Sequence, residues 1–265
     1  MVINLSRQDA KEYGLYVKSM TDAWNVLKGE GRIPEDKVID GLFASRGYSS
    51  DRVGLRKLLG EVDLGYVLPQ IKVKSEWKNL GLLDNNNRLL LAGRYVVPIR
   101  DFMGGIIALV GWWDDTRKYI TCGSEKWFSK SNCMFGMEQA KDGWQEGGLY
   151  ICEGIFDTLA MRSCGLRAVG CMGIDMTPIK RAMIDVLSGG SRILAIPDQD
   201  KAGNAVVRSD DWGIEGYGGY LRWDRNIFGK DIDDLVNNLG EDMSCDMLRG
   251  ALAERRTVVR LMISQ

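Results

Sequence analysis

The segment from residue 147 to 240 alternates short apolar strands with helices, and acidic residues follow the predicted strands. The strand at 149–152 is followed by Glu153, and a later strand is followed by Asp198 and Asp200. Strands and helices that alternate at this spacing form a mainly parallel sheet with helices on both faces. Because ligands of such sheets bind at the carboxyl ends of the strands, these acids are predicted to meet at one edge.

Three further acids lie in the same segment. Asp157 falls on the first turn of the helix after Glu153, and Asp231 and Asp233 lie in GKDIDDLV. Magnesium and other hard cations prefer oxygen ligands and usually keep part of their water shell. The candidates for direct metal ligands are Glu153, Asp198 and Asp200, and those for secondary or water-mediated ligands are Asp157, Asp231 and Asp233. Helix capping explains Asp231 and Asp233 nearly as well, and a helix amino terminus equally suits Asp157.

The first half of the chain has a different pattern. Residues 1–42 are predicted to form a helical arm, because aromatic and apolar residues recur there every three or four positions. Residues 44–92 are predicted to mix short helices and turns, and residues 93–136 to form strands, among which RYVVPIRD and IIALVGWW pair as a hairpin. The predicted division is an arm at 1–42, an α+β subdomain at 43–146, an α/β subdomain at 147–240, and a closing helix and tail at 241–265.

Charge and composition exclude some classes of function. The net charge is −1, so the chain as a whole is not basic, and the absence of histidine excludes catalytic triads that depend on it. The charge is nevertheless uneven, with ten Lys/Arg against five Asp/Glu in residues 43–100 and ten against thirteen in residues 147–240. Uneven surface charge is common, but a basic segment beside an acidic metal-binding one suits a polyanion held across a metal centre.

The cysteines argue against a zinc protein. The six cysteines form no Cys-x-x-Cys pair, and without histidine the usual ligand spacings of structural zinc are missing. The sequence shows no signal peptide and no apolar run long enough to span a membrane. We therefore expect a cytoplasmic protein with reduced thiols and no membrane partner.

The acidic segment resembles the Toprim domain shared by topoisomerases, bacterial-type primases and some nucleases. That pattern has a Glu-Gly turn after the first strand, here Glu153-Gly154, then an Asp-x-Asp after a later strand and a final acidic pair. From about residue 43 to 240 the chain also resembles the catalytic core of bacterial-type DNA primases. Three upstream segments carry this resemblance and place four basic residues: SRGYSSDRV places Arg46, RYVVPIRDFMGG places Arg94, and KYITCGSEKWFSK places Lys118 and Lys130.

The resemblance implies a fold and an activity. The fold would be an N-terminal mixed α+β subdomain followed by a Toprim α/β subdomain with a mainly parallel sheet. The activity would be that of a DNA-directed RNA polymerase of the primase type, a nucleotidyltransferase. It would make short RNA primers on single-stranded DNA from ribonucleoside triphosphates during replication, with two or more Mg²⁺ or Mn²⁺ ions and no zinc. Its catalytic carboxylates would be Glu153, Asp198 and Asp200, and its phosphate contacts Arg46, Arg94, Lys118 and Lys130. The resemblance to topoisomerases implies an alternative for Glu153, which would then act as a general acid/base and not as a direct metal ligand.

The sequence also departs from the family. No zinc ribbon or helicase-binding domain is recognisable, so a replicative helicase or a separate zinc-domain protein is an expected partner. Trp112 and Trp113 stand in a strand where family members often carry an arginine. Both tryptophans suit a strand core, and one of them could instead offer a stacking platform for a base.

Two other functions remain open from the sequence. The first is a Toprim metal-dependent nuclease, which would have no need of the primase-like half at 43–136. The second is a non-catalytic accessory subunit that binds single-stranded DNA, against which the intact set of carboxylates argues.

Overall fold

A computed structural model describes residues 6–29, 35–113, 119–141, 148–214 and 216–254, together with the backbone of 258–260. The chain divides into two compact units. Unit 1 comprises Met1–Tyr48 and Leu59–Lys130, and unit 2 comprises Ser49–Leu58 and Ser131–Gln265. The finer division into four segments stays a prediction.

Unit 1 is built on an antiparallel sheet. Its four strands, in the order β1-β2-β3-β4, are β1 (Gly65–Val67), β2 (Arg94–Arg100), β3 (Ile106–Trp112) and β4 (Tyr119–Cys122). The helices in this part of the chain are α1 (Arg7–Gly29), α2 (Glu35–Arg46) and α3 (Val53–Glu61), and α3 belongs to unit 2 up to Leu58. The α1 stripe buries Tyr16, Met20, Trp24 and Leu27, as the three- and four-residue spacing predicts.

The predicted hairpin of unit 1 is confirmed, and one strand was missed. Strands β2 and β3 pair in antiparallel orientation, with Tyr95 opposite Trp112. Strand β1 lies in a stretch that the sequence pattern assigns to helices and turns. It is extended because its three residues pair with Arg94–Val96 of β2, and a three-residue run is too short for a periodic signal of its own.

Unit 2 is an α/β layer structure around a parallel sheet. Its strands, in the order β6-β5-β7-β8-β9, are β5 (Leu149–Cys152), β6 (Ala168–Gly170), β7 (Ile193–Ile196), β8 (Gly218–Arg222) and β9 (Val258–Arg260). Its helices are α4 (Met137–Ala140), α5 (Ile155–Ser163), α6 (Pro178–Ser188), α7 (Lys201–Ser209), α8 (Arg225–Phe228), α9 (Ile232–Leu239) and α10 (Glu241–Ala253). Every strand pair in this sheet is parallel, which confirms the predicted fold class.

The end of the chain differs from the expectation. A closing helix and tail were predicted at 241–265, and the helix is present as α10, but Val258–Arg260 forms a fifth strand beside β8. This short β-branched run has no turn signal before it that would mark a strand. The run is extended because its backbone pairs with the edge of β8.

One expectation about the cysteines was wrong. Cys164 and Cys245 form a disulfide, with 5.1 Å between their α-carbons, whereas reduced thiols were expected throughout. Cys164 caps the end of α5 and Cys245 lies on α10, so the fold brings together two residues that are 81 positions apart. The free cysteines of the described residues are all buried: Cys122, Cys133, Cys152 and Cys171. No helix within the described ranges is long and apolar enough to cross a bilayer.

Candidate functional site

The carboxyl ends of two neighbouring strands bring the first pair of candidate acids together. Strands β5 and β7 are adjacent, with Cys152 opposite Ile196. Glu153 follows β5 directly, and Asp198 comes two residues after β7. The backbone N–H of Asp198 lies 3.5 Å from Oε2 of Glu153. The structure thus places both acids at the edge of the sheet where the strand pattern predicts them.

Asp200 stands beside Asp198 and has two roles in the local structure. It is the N-cap of α7, because its Oδ1 accepts the N–H groups of Ala202 and Gly203 at 2.9 and 3.0 Å. Its other oxygen, Oδ2, lies 3.8 Å from Nζ of Lys230. The turn is tight enough that a Cβ on Gly203 would lie 2.0 Å from the Asp198 carbonyl oxygen, so only glycine fits there.

Lys230 is a residue of this site that the sequence pattern did not single out. Its ammonium contacts Oδ2 of Asp198 and faces Asp200. Burial alone would lower the pKa of Lys230, but the hydrogen bond to Asp198 and the charges of the neighbouring carboxylates outweigh it and raise that pKa. Lys230 therefore stays positively charged between the two acids.

Two buried acids, Asp157 and Asp233, form a hydrogen-bonded network with a buried arginine of unit 2. Asp157 receives the Gly154 N–H on Oδ2 at 3.0 Å and the Asp233 N–H on Oδ1 at 3.4 Å. Asp233 in turn accepts from Nη1 of Arg52 at 2.9 Å, and the side chains of this pair are only 1% and 7% exposed. Asp157 and Asp233 therefore take part in a buried polar network below the edge of the sheet, a position that suits supporting residues better than direct ligands.

Asp231 and Arg222 hold nearby backbone through hydrogen bonds. Asp231 is the N-cap of α9, with its Oδ1 accepting the Asp234 N–H at 2.9 Å, so the capping role that the sequence left open is observed. Arg222 of β8 donates from Nη1 to the carbonyls of Pro197 and Asp198 at 3.1 and 3.0 Å. These contacts fix the turn that carries Asp198.

Crowding raises the pKa values of several of these acids. Burial and the charge of Asp198 raise the pKa of Glu153 to about 7, and the Asp198 N–H and Lys230 offset only part of that. Burial and the charges of Asp231, Asp198 and Asp233 raise the pKa of Asp157 well above its usual range. Burial also raises the pKa of Asp231 to about 6. Carboxyls in this state retain protons unless a cation is added to the site.

The donor set fits a hard divalent cation. Within the described parts of the chain, no three acids already converge as a closed ligand set. The groups at the sheet edge are carboxylate oxygens, which suit magnesium or manganese. The ammonium of Lys230 lies against the carboxylates of Asp198 and Asp200 and supplies a positive charge there. Glu153, Asp198 and Asp200 are the residues that would hold such an ion.

The raised pKa of Glu153 predicts how stability depends on pH without metal. Above pH 4.5, the ordinary pKa of this group, the unfolded chain loses a proton that the native protein keeps up to about pH 7. The native state then binds more protons than the unfolded state, so the free energy of unfolding should fall as pH rises through this window. Glu153→Gln should remove part of that slope in urea titrations at pH 5 and pH 8 with a chelator present. An unchanged slope in this variant would contradict the assignment.

The basic candidates of unit 1 are each held against an aromatic ring. The Arg46 guanidinium lies 5.4 Å from the Tyr48 ring centroid and donates to the Tyr48 hydroxyl at 2.6 Å. Nζ of Lys130 lies 5.1 Å from the ring centroid of Tyr119, which is 50% exposed. Lys118 lies outside the described residues. Pairs of cations and aromatic rings are the side-chain chemistry that binds single-stranded nucleic acid.

Arg94 and Trp113 form the closest of these pairs. The Arg94 guanidinium lies 3.7 Å from the Trp113 ring centroid, and its Nε donates to the Leu90 carbonyl at 3.1 Å. Arg94 is largely buried, at 8% exposure, and burial lowers its pKa. Trp113 is 45% exposed, whereas Trp112 is buried in the sheet at 2%. Trp112 is therefore a core residue, and Trp113 is the tryptophan that is available for stacking.

Sequence reasoning missed four residues that shape these sites. Arg52 lies in the SRGYSSDRV segment that was used to place Arg46, yet nothing local shows that its partner is 181 positions away. Lys230 directly precedes the acidic pair at 231 and 233, but that position does not show its contact with the distant Asp198. Tyr48 and Tyr119 each lie within eleven positions of the cation that they contact, a spacing that carries no periodic signal.

Comparison with known protein sequences identifies relatives of the chain. Residues 150–235 match the Toprim-like family. A DNA primase of Thermotoga maritima is 27% identical over 269 residues, which cover 92% of this chain and 45% of that protein. A DNA primase of Aquifex aeolicus is 29% identical over 207 residues, which cover 74% and 39%. The chain spans less than half the length of these two primases.

Two solved structures share the fold of this chain. The RNA polymerase domain of Mycobacterium tuberculosis primase DnaG has a TM-score of 0.70 and 19% identity, covering 92% of this chain and 84% of that one. A DnaG primase catalytic domain bound to single-stranded DNA has a TM-score of 0.68 and 19% identity, covering 91% and 80%. The chain therefore carries a Toprim-like segment in its second half and has the catalytic-core fold of bacterial-type DNA primases.

Proposed function

We propose that the chain synthesises short RNA primers on single-stranded DNA, as a DNA-directed RNA polymerase of the primase type that requires a divalent metal. The observation that carries this proposal is the meeting of Glu153 and Asp198 at adjacent strand ends, with Asp200 beside them, in a chain that has the primase core fold. The sequence likeness to two bacterial DNA primases supports it.

The template is proposed to be single-stranded DNA. One of the structures with this fold is a DnaG catalytic domain bound to single-stranded DNA. In unit 1 of the present chain, Arg46, Arg94 and Lys130 each lie against an aromatic ring, so both a positive charge and a π-face are available there. Phosphates would be bound by the charges and bases by the rings.

The acids of unit 2 would work on the reacting phosphate. A divalent cation held there supplies charge stabilisation and lowers the pKa of a hydroxyl that attacks a nucleoside triphosphate. Arg222 holds the backbone of Asp198, and the cap of α7 holds the Asp200 carboxylate, so both acids are positioned in advance for this role. Glu153, whose pKa is raised to about 7, can accept a proton near neutral pH.

The partners and the location are part of the same proposal. Ribonucleoside triphosphates are the substrates, and a replicative helicase or a separate zinc-domain protein would assist initiation by holding the template. A cytoplasmic location stays the prediction of the sequence.

An incorporation assay tests the proposed activity. The chain is incubated with single-stranded DNA, Mg²⁺ or Mn²⁺ and labelled ribonucleotides, with and without a short RNA primer annealed to the template. We expect labelled products whose sequence is complementary to the template and which disappear with a chelator. Cleavage of the DNA without incorporation would instead establish the nuclease, and DNA binding with neither reaction would establish the accessory subunit.

The Arg94–Trp113 pair predicts a stacking contribution to DNA binding. Trp113→Ala should weaken binding of single-stranded DNA by about 1–3 kcal/mol, the usual value of one stacked base. Trp113→Phe should retain most of the affinity, because it keeps an aromatic face. Arg94→Ala should also reduce the salt dependence of binding by about one counterion, because its guanidinium is a proposed phosphate contact.

Fluorescence anisotropy of a labelled oligonucleotide at several salt concentrations measures both effects. Tyr217→Ala is the matched control, since Tyr217 is a 56% exposed aromatic residue of unit 2 outside the proposed surface. Equal affinities of the Trp113→Ala and Tyr217→Ala variants would remove Trp113 from the DNA-binding surface.

A further inference from the structure

Lys230 is fixed through its backbone to the turn that carries the two acids it contacts. Its carbonyl accepts the N–H of Gln199, the residue between Asp198 and Asp200, at 2.6 Å. Its own N–H donates to Oδ2 of Asp234 at 3.0 Å. The main chain of Lys230 is therefore held on both sides, beside the acids, whatever its side chain does.

The residue before Lys230 also holds this arrangement. Gly229 has a φ of +93°, and a Cβ there would lie 2.3 Å from Cβ of Asp234. A side chain at 229 would disturb the turn that presents Lys230, so glycine is required for conformation and for space.

The Lys230 side chain has room to leave the acids. It is 41% exposed, whereas the Asp198 side chain that it contacts is only 12% exposed. Four rotatable bonds separate the ammonium from the fixed main chain, so the group can swing into water without any backbone movement. The largely buried carboxylate of Asp198 thus contacts an ammonium that can move, although the main chain of Lys230 is held in place.

We propose that the Lys230 ammonium takes the place of a metal ion in the metal-free protein and is displaced when a divalent cation binds to Asp198 and Asp200. Lys230 on this account offsets the repulsion between the two carboxylates before the metal arrives and competes with the metal for them. The inference rests on the proposed metal-dependent function and assigns a specific residue to the control of metal occupancy.

Electrostatics requires the exchange. Without any cation, the carboxylates at the sheet edge repel one another, and the ammonium reduces that repulsion. With a dication in place, the ammonium and the metal would compete for the same oxygens and repel each other. When Lys230 contacts the acids in about nine of ten metal-free molecules, about one in ten has its acids open to a metal ion. The apparent affinity for metal is then about tenfold weaker than in a protein without Lys230 at this site.

The affinity of Lys230→Met for Mn²⁺, measured by isothermal titration calorimetry, tests this exchange. We expect the variant to bind Mn²⁺ about tenfold more tightly than the wild type. The matched control is Lys201→Met, which removes an exposed positive charge next to Asp200 and leaves the Lys230 contacts with the two acids in place. The control should change the affinity less than about twofold.

Each outcome of the titration has one meaning. Equal affinities of wild type and Lys230→Met, or a weaker Lys230→Met, would overturn the exchange while leaving the proposed metal function in place. A similar gain in both lysine variants would reduce the effect to general charge, which also overturns it. No binding of Mn²⁺ by any of the three proteins would overturn the proposed metal function itself.

A second measurement uses the wild-type chain and does not depend on how a variant folds. Lysine acetylation by a low dose of acetic anhydride is quantified by mass spectrometry with and without Mg²⁺, taking Lys201 as the internal reference. An ammonium that is held by two carboxylates reacts slowly, so Mg²⁺ should increase the labelling of Lys230 several-fold relative to Lys201. A labelling ratio that Mg²⁺ leaves unchanged or lowers would contradict the displacement of Lys230.

Discussion

Asp198→Asn is expected to lower ribonucleotide incorporation roughly a thousandfold while leaving the fold intact. Asp198 is the acid that the structure places next to Glu153 and against Lys230. Asparagine has nearly the same size, so the change removes the negative charge and little else. The carboxylate acts on the anionic reacting centre only through the cation that it would hold, and losing the charge stabilisation which that cation supplies costs about a hundred- to a thousandfold in rate.

The control for this variant is an aspartate of unit 2 that caps a helix away from the acids. Asp224 is exposed and caps α8 by accepting the Asn226 N–H at 2.8 Å. Asparagine caps a helix as well as aspartate does, so Asp224→Asn should keep both stability and activity. Incorporation rates at saturating Mg²⁺ are compared with circular dichroism spectra of both variants. Wild-type rates in well-folded Asp198→Asn would exclude Asp198 from the reaction.

Arg52→Met is expected to produce the largest loss of stability, about 3–5 kcal/mol. Arg52 and Asp233 form an ion pair whose side chains are 1% and 7% exposed. Removing one partner leaves the other charge buried without compensation, which costs far more than the pair contributes when intact. The loss should appear in urea unfolding as a lower midpoint with an unchanged m-value.

A second substitution separates the buried charge from the packing. Replacing both partners, as Arg52→Met with Asp233→Leu, should recover much of the lost stability, because it also removes the Asp233 charge that the single change leaves buried. Arg208→Met provides the control, since Arg208 lies on the exposed face of α7. Equal stabilities of the Arg52→Met and Arg208→Met variants would mean that the buried pair has no special importance.

The fold could be predicted from the sequence wherever its signals are local. The strands β5 and β7 and the helices after them show the alternation of a parallel α/β sheet, and the acids at the strand ends follow from that alternation. The hairpin of β2 and β3 is equally visible, because two apolar runs flank a pair of glycines. Strands β1 and β9 were missed, because each is three residues long and is extended only through pairing with a neighbour.

The site was predictable in its acids and not in its cations. Glu153, Asp198 and Asp200 are marked by their positions after strands, and the resemblance to the Toprim pattern adds to that signal. The contacts of Arg52 with Asp233 and of Lys230 with Asp198 join distant parts of the chain, which no local pattern shows. The disulfide between Cys164 and Cys245 was missed for the same reason.

The most direct test of the account is the position of a divalent cation in the protein. Anomalous scattering from crystals grown with Mn²⁺ measures that position. The account predicts a manganese peak at about 2.1 Å from carboxylate oxygens of the set Glu153, Asp198 and Asp200, with the Lys230 ammonium moved away from Asp198. A peak at another site, or a Lys230–Asp198 contact that persists in saturating Mn²⁺ with no ion at the sheet edge, would contradict it.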